Sequence, residues 1–457
     1  MRKALGPAVL VFACWSILGS SLLRAQAPPA TPAPLDLEAL AKQDVADMAA
    51  GRFSAVEAQY NTQMAFALPV GKLAQAWSGL LAHVGAFKGI AGVSTRSSSE
   101  MEVVTVACNF EQTPLNVVFV FDSGGRIGGL DFAAPETTFS WIAPPYADTS
   151  KFKEQPVTVT YSHWDLPGTL TMPVGAGPFP AVVLVQGSGP QDEDISLGPN
   201  KAFKDLAWGL ASHGVAVLRY IKRTRQYGPA SADDPTKMTV DDETINDARA
   251  AVKLLASQQG IDPHHIYLLG HSLGAYLAPR IATGDTQVAG LILLAGNTRA
   301  IEQLAVEMIR YLVAAQHVPP DEAQKDIANA EAGEKTIESP DLKPTDPVAF
   351  LGMQETGAFW LDLRGYDPVA VASHLTIPML VLQGERDYQV TITDFDGWKK
   401  GLAGHANVTL KSYPALNHFF IAGTGPSTSE EYSTPGHVSS DVIDDISAWI
   451  LTTSKAN

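Results

Sequence analysis

The sequence predicts an α/β protein built on a mostly parallel sheet and preceded by a small α+β domain. Between residues 181 and 294, apolar β-rich runs alternate with helical stretches, the pattern of parallel strands joined by helices. Ahead of this region, helical spacing gives way to a period of two, which is typical of helices followed by an antiparallel sheet. The length of 457 residues exceeds what one core usually organises.

The first 27 residues have the layout of a secretory signal peptide. Met1-Arg2-Lys3 is basic, residues 4–23 are largely apolar, and Ala25-Gln26-Ala27 is a small-x-small cleavage site. An uncleaved anchor and a lipoprotein modified at Cys14 are the alternatives, but the apolar run continues well beyond Cys14. We therefore expect export to the periplasm or the medium.

A proline-rich linker, residues 28–36, separates this signal from the first domain. The formal net charge of −16 becomes −19 once the three basic residues of the signal are removed. No block of Lys or Arg forms a phosphate-binding stripe, so neither nucleic acid nor, after signal cleavage, a membrane is an expected partner. Cleavage also leaves Cys108 as the single cysteine, which excludes an intramolecular disulfide.

Residues 37–135 form the predicted small domain. Helical spacing covers residues 37–67 and 70–87, and strand-like runs follow at 101–110, 115–121 and 127–132. With phrases such as Asn109-Phe110-Glu111, this layout resembles the domain of unknown function often fused ahead of secreted hydrolases, a cone-like, nuclear-transport-factor-like fold. The resemblance implies an accessory module or a homodimer contact.

The apolar run 266–269 ends in Gly270-His271-Ser272-Leu273-Gly274 and passes directly into a helical stretch. A serine on so tight a strand-to-helix turn has strained backbone geometry. The strand and the helix can approach each other only if positions 270 and 274 carry very small residues, and both are glycine. The turn exposes the serine Oγ at a helix N-terminus, where the N–H of Leu273 can stabilise an oxyanion. We interpret Ser272 as a nucleophile and His271 as packing beside it.

A second glycine-rich turn provides the other expected oxyanion donor. The apolar run 181–185 ends at Gln186-Gly187-Ser188-Gly189-Pro190, where two glycines let the backbone bend and offer N–H groups to a ligand. We expect the N–H of Ser188 to contribute. The alternative is an ordinary turn after a strand.

The alternation of strands and helices stops at about residues 298–374, inside a predicted catalytic domain that spans residues 151–457. Helical stretches at 302–315, 320–333 and 347–360 predict a helical cap. Six of its apolar residues are expected either to line a substrate cleft or to pack within the helices: Phe350, Leu351, Met353, Phe359, Trp360 and Leu361.

Two polar residues after late strands complete the pattern of a serine hydrolase. Asp387, after the apolar run 379–382, can orient an imidazole and stabilise its protonated form. His418, after the strand-like run 408–413, can reach the nucleophile as general base. The competing residues are Glu385, Asp394 and Asp396 for the acid and His437 for the base. The histidines lack metal-ligand spacing, so neither a metal nor a cofactor is expected.

From about Lys151 onward the chain resembles secreted bacterial α/β-hydrolases of the esterase and serine-aminopeptidase-like group. The phrases that carry the resemblance are Gly187-Ser188-Gly189-Pro190, Leu218-Arg219-Tyr220, Gly270-His271-Ser272-Leu273-Gly274, Gly384-Glu385-Arg386-Asp387 and Leu416-Asn417-His418. The order Ser, Asp, His also agrees. Relatives commonly carry His and Asp where this chain has Gln186 and Ile221.

The resemblance implies hydrolysis of a small-molecule carboxylic ester through an acyl-enzyme at Ser272, with Asp387 and His418 completing the triad. A serine peptidase acting on small peptides or amides is the nearest alternative, because the same triad cleaves amides. A catalytically inactive ligand-binding protein is the alternative from another class. The acyl length and the alcohol group depend on cap geometry, which periodicity does not determine.

Overall fold

The computed structural model describes residues 35–98, 101–133, 141–350 and 353–456. The predicted signal peptide, residues 1–27, and nearly all of the linker lie outside these ranges. Within them, no helix is both long enough and apolar enough to cross a membrane.

The small domain packs four helices against a four-stranded antiparallel sheet of order β1-β2-β3-β4. Its elements are α1 (Leu37–Ala49), α2 (Phe53–Glu57), α3 (Thr62–Ala67), α4 (Leu73–Val84), β1 (Phe87–Ser98), β2 (Met101–Phe110), β3 (Leu115–Asp122) and β4 (Ile127–Ala133). In the core, the centroid of the Trp77 ring lies 5.8 Å from the ring centroids of Phe110 and Phe132.

The sequence analysis missed strand β1 and extended the preceding helix too far. Helix α4 ends at Val84 because Gly85 has a φ of 77°, which breaks the helix. None of residues 87–96 is buried, so β1 shows no alternation of apolar and polar residues by which a strand could be recognised.

The predicted catalytic domain contains an eight-stranded sheet of order β16-β15-β12-β11-β7-β10-β6-β5, in which β6 is antiparallel to both of its neighbours, β5 and β10, and every other pair of neighbouring strands is parallel. Two two-stranded ribbons, β8-β9 and β13-β14, accompany it. The strands are β5 (Phe152–Tyr161), β6 (Trp164–Pro173), β7 (Phe179–Val185), β8 (Ser196–Leu197), β9 (Asn200–Lys201), β10 (Ala216–Tyr220), β11 (Ile261–His271), β12 (Val288–Leu294), β13 (Pro347–Phe350), β14 (Met353–Thr356), β15 (Met379–Gly384) and β16 (Val408–Tyr413).

Helices cover both faces of this sheet. They are α5 (Ala202–Ser212), α6 (Arg223–Tyr227), α7 (Asn246–Ala256), α8 (Leu273–Ala282), α9 (Ile301–Ala315), α10 (Pro320–Glu338), α11 (Gly357–Leu363), α12 (Pro368–Ala372), α13 (Ile392–Gly401) and α14 (Ser440–Ala456). Along β7, Val183 and Val185 belong to one apolar core, whereas Val182 and Leu184 belong to the other. Burial of both faces explains why the central strands are continuous apolar runs.

The predicted cap helix over residues 347–360 is wrong in its first part, which forms the hairpin of β13 and β14. Val348 and Phe350 are buried while the residues that alternate with them in β13 are exposed, as in a half-buried strand. Helix α11 begins only at Gly357, where the side chain of Thr356 accepts the N–H of Phe359 as an N-cap.

The aromatic residues of the cap belong to the core. Phe350, Phe359 and Trp360 are at most 2% exposed and pack in the same cluster as one face of the sheet. Leu361 is half-buried against that cluster. Residue 351 and the side chain of residue 353 lie outside what the structure describes. Core packing, one of the two expectations, therefore explains these aromatic residues.

Candidate active site

Ser272 occupies the turn between β11 and α8 with a φ of 55°, a conformation that non-glycine residues rarely adopt. A Cβ atom on Gly270 would lie 2.2 Å from the carbonyl oxygen of Gly274, and one on Gly274 would lie 2.3 Å from that of Val185. Both glycines are therefore required by the close approach of strand, turn and helix. The N–H of Ser272 donates to the carbonyl of Leu294 at 2.9 Å, which holds the turn against the neighbouring strand.

A cavity of about 260 Å³ opens beside the Ser272 side chain. It brings together both residues expected to donate to an oxyanion, because Leu273 and Ser188 line it with Ser272. The Gly187 turn lies directly against the serine, since a Cβ atom on Gly187 would be 3.1 Å from the Ser272 Cβ. The other lining residues are Gly189, Asn297, Ile301, Leu304, Ala305, Met308, Gln389 and Val390.

Asp387 and His418 form a buried hydrogen-bonded pair. The His418 Nδ1 lies 2.7 Å from the Asp387 Oδ2, and the two residues are 2% and 5% exposed. The other oxygen, Oδ1, accepts the backbone N–H groups of Gln389 at 2.8 Å and Val390 at 3.0 Å. A carboxylate in this position accepts a hydrogen bond from an Nδ1–H, which leaves Nε2 of the neutral His418 ring unprotonated and able to accept a proton.

His271 connects the His418 loop to the Ser272 turn. Its Nε2 lies 2.9 Å from the His418 carbonyl oxygen, and the two rings are 4.6 Å apart. A carbonyl only accepts hydrogen bonds, so Nε2 carries the proton of the neutral ring. Burial, assisted by the nearby His418, lowers the pKa of His271 from 6.5 to about 3. The sequence analysis assigned this residue to packing alone and did not find this link.

His271→Gln is expected to make the protein less sensitive to acid. As pH falls through 6.5, the unfolded chain protonates His271, whereas the folded protein keeps it neutral until about pH 3. The neutral His271 thus contributes to stability above pH 6.5, and this contribution is lost as pH falls. At pH 5 the free energy of unfolding is expected to be lower by about 2 kcal/mol for this reason. The amide of glutamine does not titrate and can still donate to the His418 carbonyl.

Thermal melts of wild type and His271→Gln at pH 7.5 and pH 5 measure this difference. The drop in melting temperature between the two pH values should be smaller in the variant. Equal drops in the two proteins would contradict the role assigned to His271.

The competing acids and the competing histidine contact other partners. Glu385 accepts the Ser412 hydroxyl at 2.7 Å, and Asp394 forms an ion pair of 2.7 Å with Arg299. Asp396 is exposed on α13. His437 lies 3.2 Å from the Asp205 carboxylate on α5. Of these side chains, Asp387 is the acid that the structure brings to His418.

A larger cavity, of about 470 Å³, lies away from these residues and is lined by Arg249, Arg280 and Arg364. Their guanidinium groups are already bound within the protein. Arg249 and Arg364 donate to backbone carbonyls, and Arg280 pairs with two carboxylates. We therefore place the candidate active site at the smaller cavity. Across the described ranges, no group of three or more His, Cys, Asp or Glu could hold a metal ion.

The sequence analysis also missed the support behind the Gly187 turn. Lys222, two residues after the end of β10, is 2% exposed, and its Nζ donates to the Gly187 carbonyl at 2.7 Å. The side chain of Gln186 donates to the Tyr220 carbonyl, so this departure from the commoner histidine still supplies a hydrogen bond. A lysine two residues after a strand-like run was the signal in the sequence.

Two families match parts of the chain. Residues 41–130 match a family of proteins of unknown function, DUF3887, and residues 200–422 match the family described as serine aminopeptidase, S33. Among curated proteins, esterase EstD of Thermotoga maritima is 38% identical over 391 residues, which cover 86% of this chain and 90% of EstD.

Solved structures of esterases are also similar. Est1E from Butyrivibrio proteoclasticus has 16% identity and a TM-score of 0.44, covering 66% of this chain and 99% of Est1E. A Pyrobaculum calidifontis esterase has 16% identity and a TM-score of 0.42, covering 66% of this chain and 86% of that chain. The family assignment depends on the much higher identity to EstD. The chain belongs to the esterase family of α/β-hydrolases that includes EstD.

Proposed function

We propose that the chain is an exported serine esterase that cleaves small-molecule carboxylic esters through an acyl-enzyme at Ser272. The observation that carries this proposal is the buried Asp387–His418 pair. The backbone carbonyl of His418 accepts a hydrogen bond from the side chain of His271, the residue that precedes Ser272. The strained turn at Ser272 and the esterase relative support the same activity. The layout of residues 1–27 supports export.

In this mechanism His418 Nε2 takes the proton of the Ser272 hydroxyl while Oγ attacks the acyl carbon. Asp387 holds the imidazole and stabilises the imidazolium that forms. The N–H groups of Leu273 and Ser188 stabilise the oxyanion of the tetrahedral intermediate. The proton then passes from His418 to the departing alcohol, and a water activated by the same histidine hydrolyses the acyl-enzyme. No step needs a cofactor.

One face of α9 provides an apolar wall for the acyl group. Ile301, Leu304, Ala305 and Met308 line the cavity at spacings of three, four and seven residues, which places them on one side of a helix. A cavity of about 260 Å³ lies just below the usual volume of ligand pockets, roughly 300–1,000 Å³. We therefore propose a preference for short acyl chains.

Met308→Ala is expected to shift the preference toward longer acyl chains. Removing this half-buried side chain lengthens the cavity, and each additional buried methylene contributes about 0.8 kcal/mol. For an ester with two more methylenes, kcat/KM should rise roughly tenfold relative to the wild-type enzyme. The matched control is Gln303→Ala, an exposed position of the same helix. An unchanged chain-length profile in Met308→Ala would refute the assignment of the acyl wall.

Peptidase activity is the second candidate, and the match to the serine aminopeptidase family favours it. A peptidase that recognises a free amino terminus needs a carboxylate near the nucleophile to bind the ammonium group. The residues described as lining the Ser272 cavity include no acidic side chain. This composition favours neutral ester substrates.

The test measures hydrolysis of p-nitrophenyl esters of increasing acyl length beside aminoacyl p-nitroanilides. A serine-reactive phosphonate should label the protein stoichiometrically, and peptide mapping should find the label on Ser272. Ester turnover with this label supports the proposal. Turnover of the anilides alone would make the protein a peptidase, and the absence of both turnover and label would indicate a ligand-binding protein.

A further inference from the structure

Lys222 is buried beneath the turn that carries Ser188. Its ammonium group forms an ion pair of 2.6 Å with Glu243 and donates to the Gly187 carbonyl at 2.7 Å. Lys222 and Glu243 are 2% and 1% exposed, so both charged groups are buried away from solvent. A buried lysine is costly unless it is paired and hydrogen-bonded, and these two contacts supply its partners.

Further hydrogen bonds hold the same turn. The backbone N–H of Lys222 donates to the Gln191 carbonyl at 3.1 Å. The side chain of Gln191 in turn donates to the Ser188 carbonyl at 2.9 Å. The segment after β10 therefore holds the turn through the Gly187 carbonyl directly and through the Ser188 carbonyl by way of Gln191.

The direction of the Gly187 carbonyl determines the direction of the Ser188 N–H. Both groups belong to one planar peptide unit, and in a trans peptide the C=O and the N–H point in opposite directions. Because the carbonyl points at Lys222, the N–H points away from it. Ser188 lines the cavity beside Ser272, and Lys222 is not among the residues described as lining it. The positive charge also polarises this peptide, which strengthens its N–H as a donor.

We propose that Lys222 is a positioning residue for the oxyanion hole. Through its hydrogen bond to Gly187 it holds the Ser188 N–H toward the carbonyl oxygen of the substrate, and Glu243 holds Lys222 in place. The inference depends on the proposed esterase function. It adds a buried ion pair, outside the cavity, to the residues that set the rate of acylation.

A second acidic side chain, Glu355 of the cap hairpin, lies near this pair. Burial and the neighbouring Glu243 raise the pKa of Glu355 to about 8. The 2.6 Å ion pair makes Glu243 the carboxylate that balances the charge of Lys222. A variant that neutralises Lys222 and Glu243 together therefore removes both charges of this ion pair at once.

The test is the double variant Lys222→Met/Glu243→Gln, assayed at pH 7 with an ester and the matching thionoester. An oxyanion hole stabilises a developing oxyanion much better than a developing thiolate-like sulfur, because sulfur is a weaker hydrogen-bond acceptor. We expect kcat for the ester to fall by about 10² to 10³ with little change in KM. The ratio of ester to thionoester turnover should fall by at least about tenfold.

The matched control is Arg223→Met/Asp247→Asn, which removes the neighbouring buried ion pair between these two side chains, both of which are 1% exposed. This control should lose stability without changing the ester-to-thionoester ratio. Lys222→Gln, which keeps a neutral donor, should give an intermediate ratio and provides the measurement if the double variant does not fold.

A ratio equal to the wild-type ratio in both Lys222 variants would overturn the proposal, since a purely structural role lowers both activities alike. Ester turnover that survived Ser272→Ala would instead overturn the proposed function. The two failures are therefore distinguishable.

Discussion

Ser272→Ala is expected to lower kcat for ester hydrolysis by about 10⁴-fold or more, because the variant has no atom that can form the acyl-enzyme. Alanine keeps the Cβ atom of serine, so the strained turn with its φ of 55° is expected to fold unchanged. Steady-state kinetics on the best p-nitrophenyl ester, with a thermal melt of the same preparation, measure both effects. A melting temperature near the wild-type value would show that the loss is chemical.

Ser188→Ala is the matched control, since it removes a second serine hydroxyl from the same cavity. Only the backbone N–H of Ser188 is assigned a role, and alanine retains that group. This variant should therefore stay close to wild-type kcat. Comparable losses in both variants would mean that the nucleophile has been misassigned.

Asp387→Asn is expected to lower kcat by about 10⁴-fold with little change in KM. The asparagine amide can present an N–H to Nδ1 of His418, which favours the tautomer with the proton on Nε2 and removes the base that Ser272 needs. The side-chain oxygen could still accept from the N–H groups of Gln389 and Val390, so the loop should keep its shape. The measurements are kcat of wild type and Asp387→Asn as a function of pH, together with a thermal melting curve of each protein.

Glu385→Gln tests the nearest competing acid under the same conditions. Glu385 contacts the Ser412 hydroxyl, so its replacement should leave kcat almost unchanged. If Glu385→Gln lost more activity than Asp387→Asn, Asp387 would not be the orienting acid.

Much of the fold was predictable because its signals are local. The central strands are apolar runs with helical stretches between them, and the core on both faces of the sheet requires that composition. The Ser272 turn was equally readable, since its two glycines stand where a Cβ atom would collide with backbone. Strand β1 was not predicted because none of residues 87–96 is buried, so it lacks the alternation of a half-buried strand. The β13–β14 hairpin was not predicted because the burial of Val348 and Phe350 depends on segments distant in the chain.

The sequence by itself determined the α/β order of elements, the strained turn at Ser272 and the acid and histidine that follow late strands. The sequence already favoured Asp387 over Glu385, Asp394 and Asp396, and the tertiary structure adds that the Asp387 carboxylate is the one that lies against His418. The tertiary structure alone brought Lys222 to Glu243 and Gly187. These groups are far apart along the chain, and their contacts depend on how strands and loops assemble, which no local pattern of residues specifies.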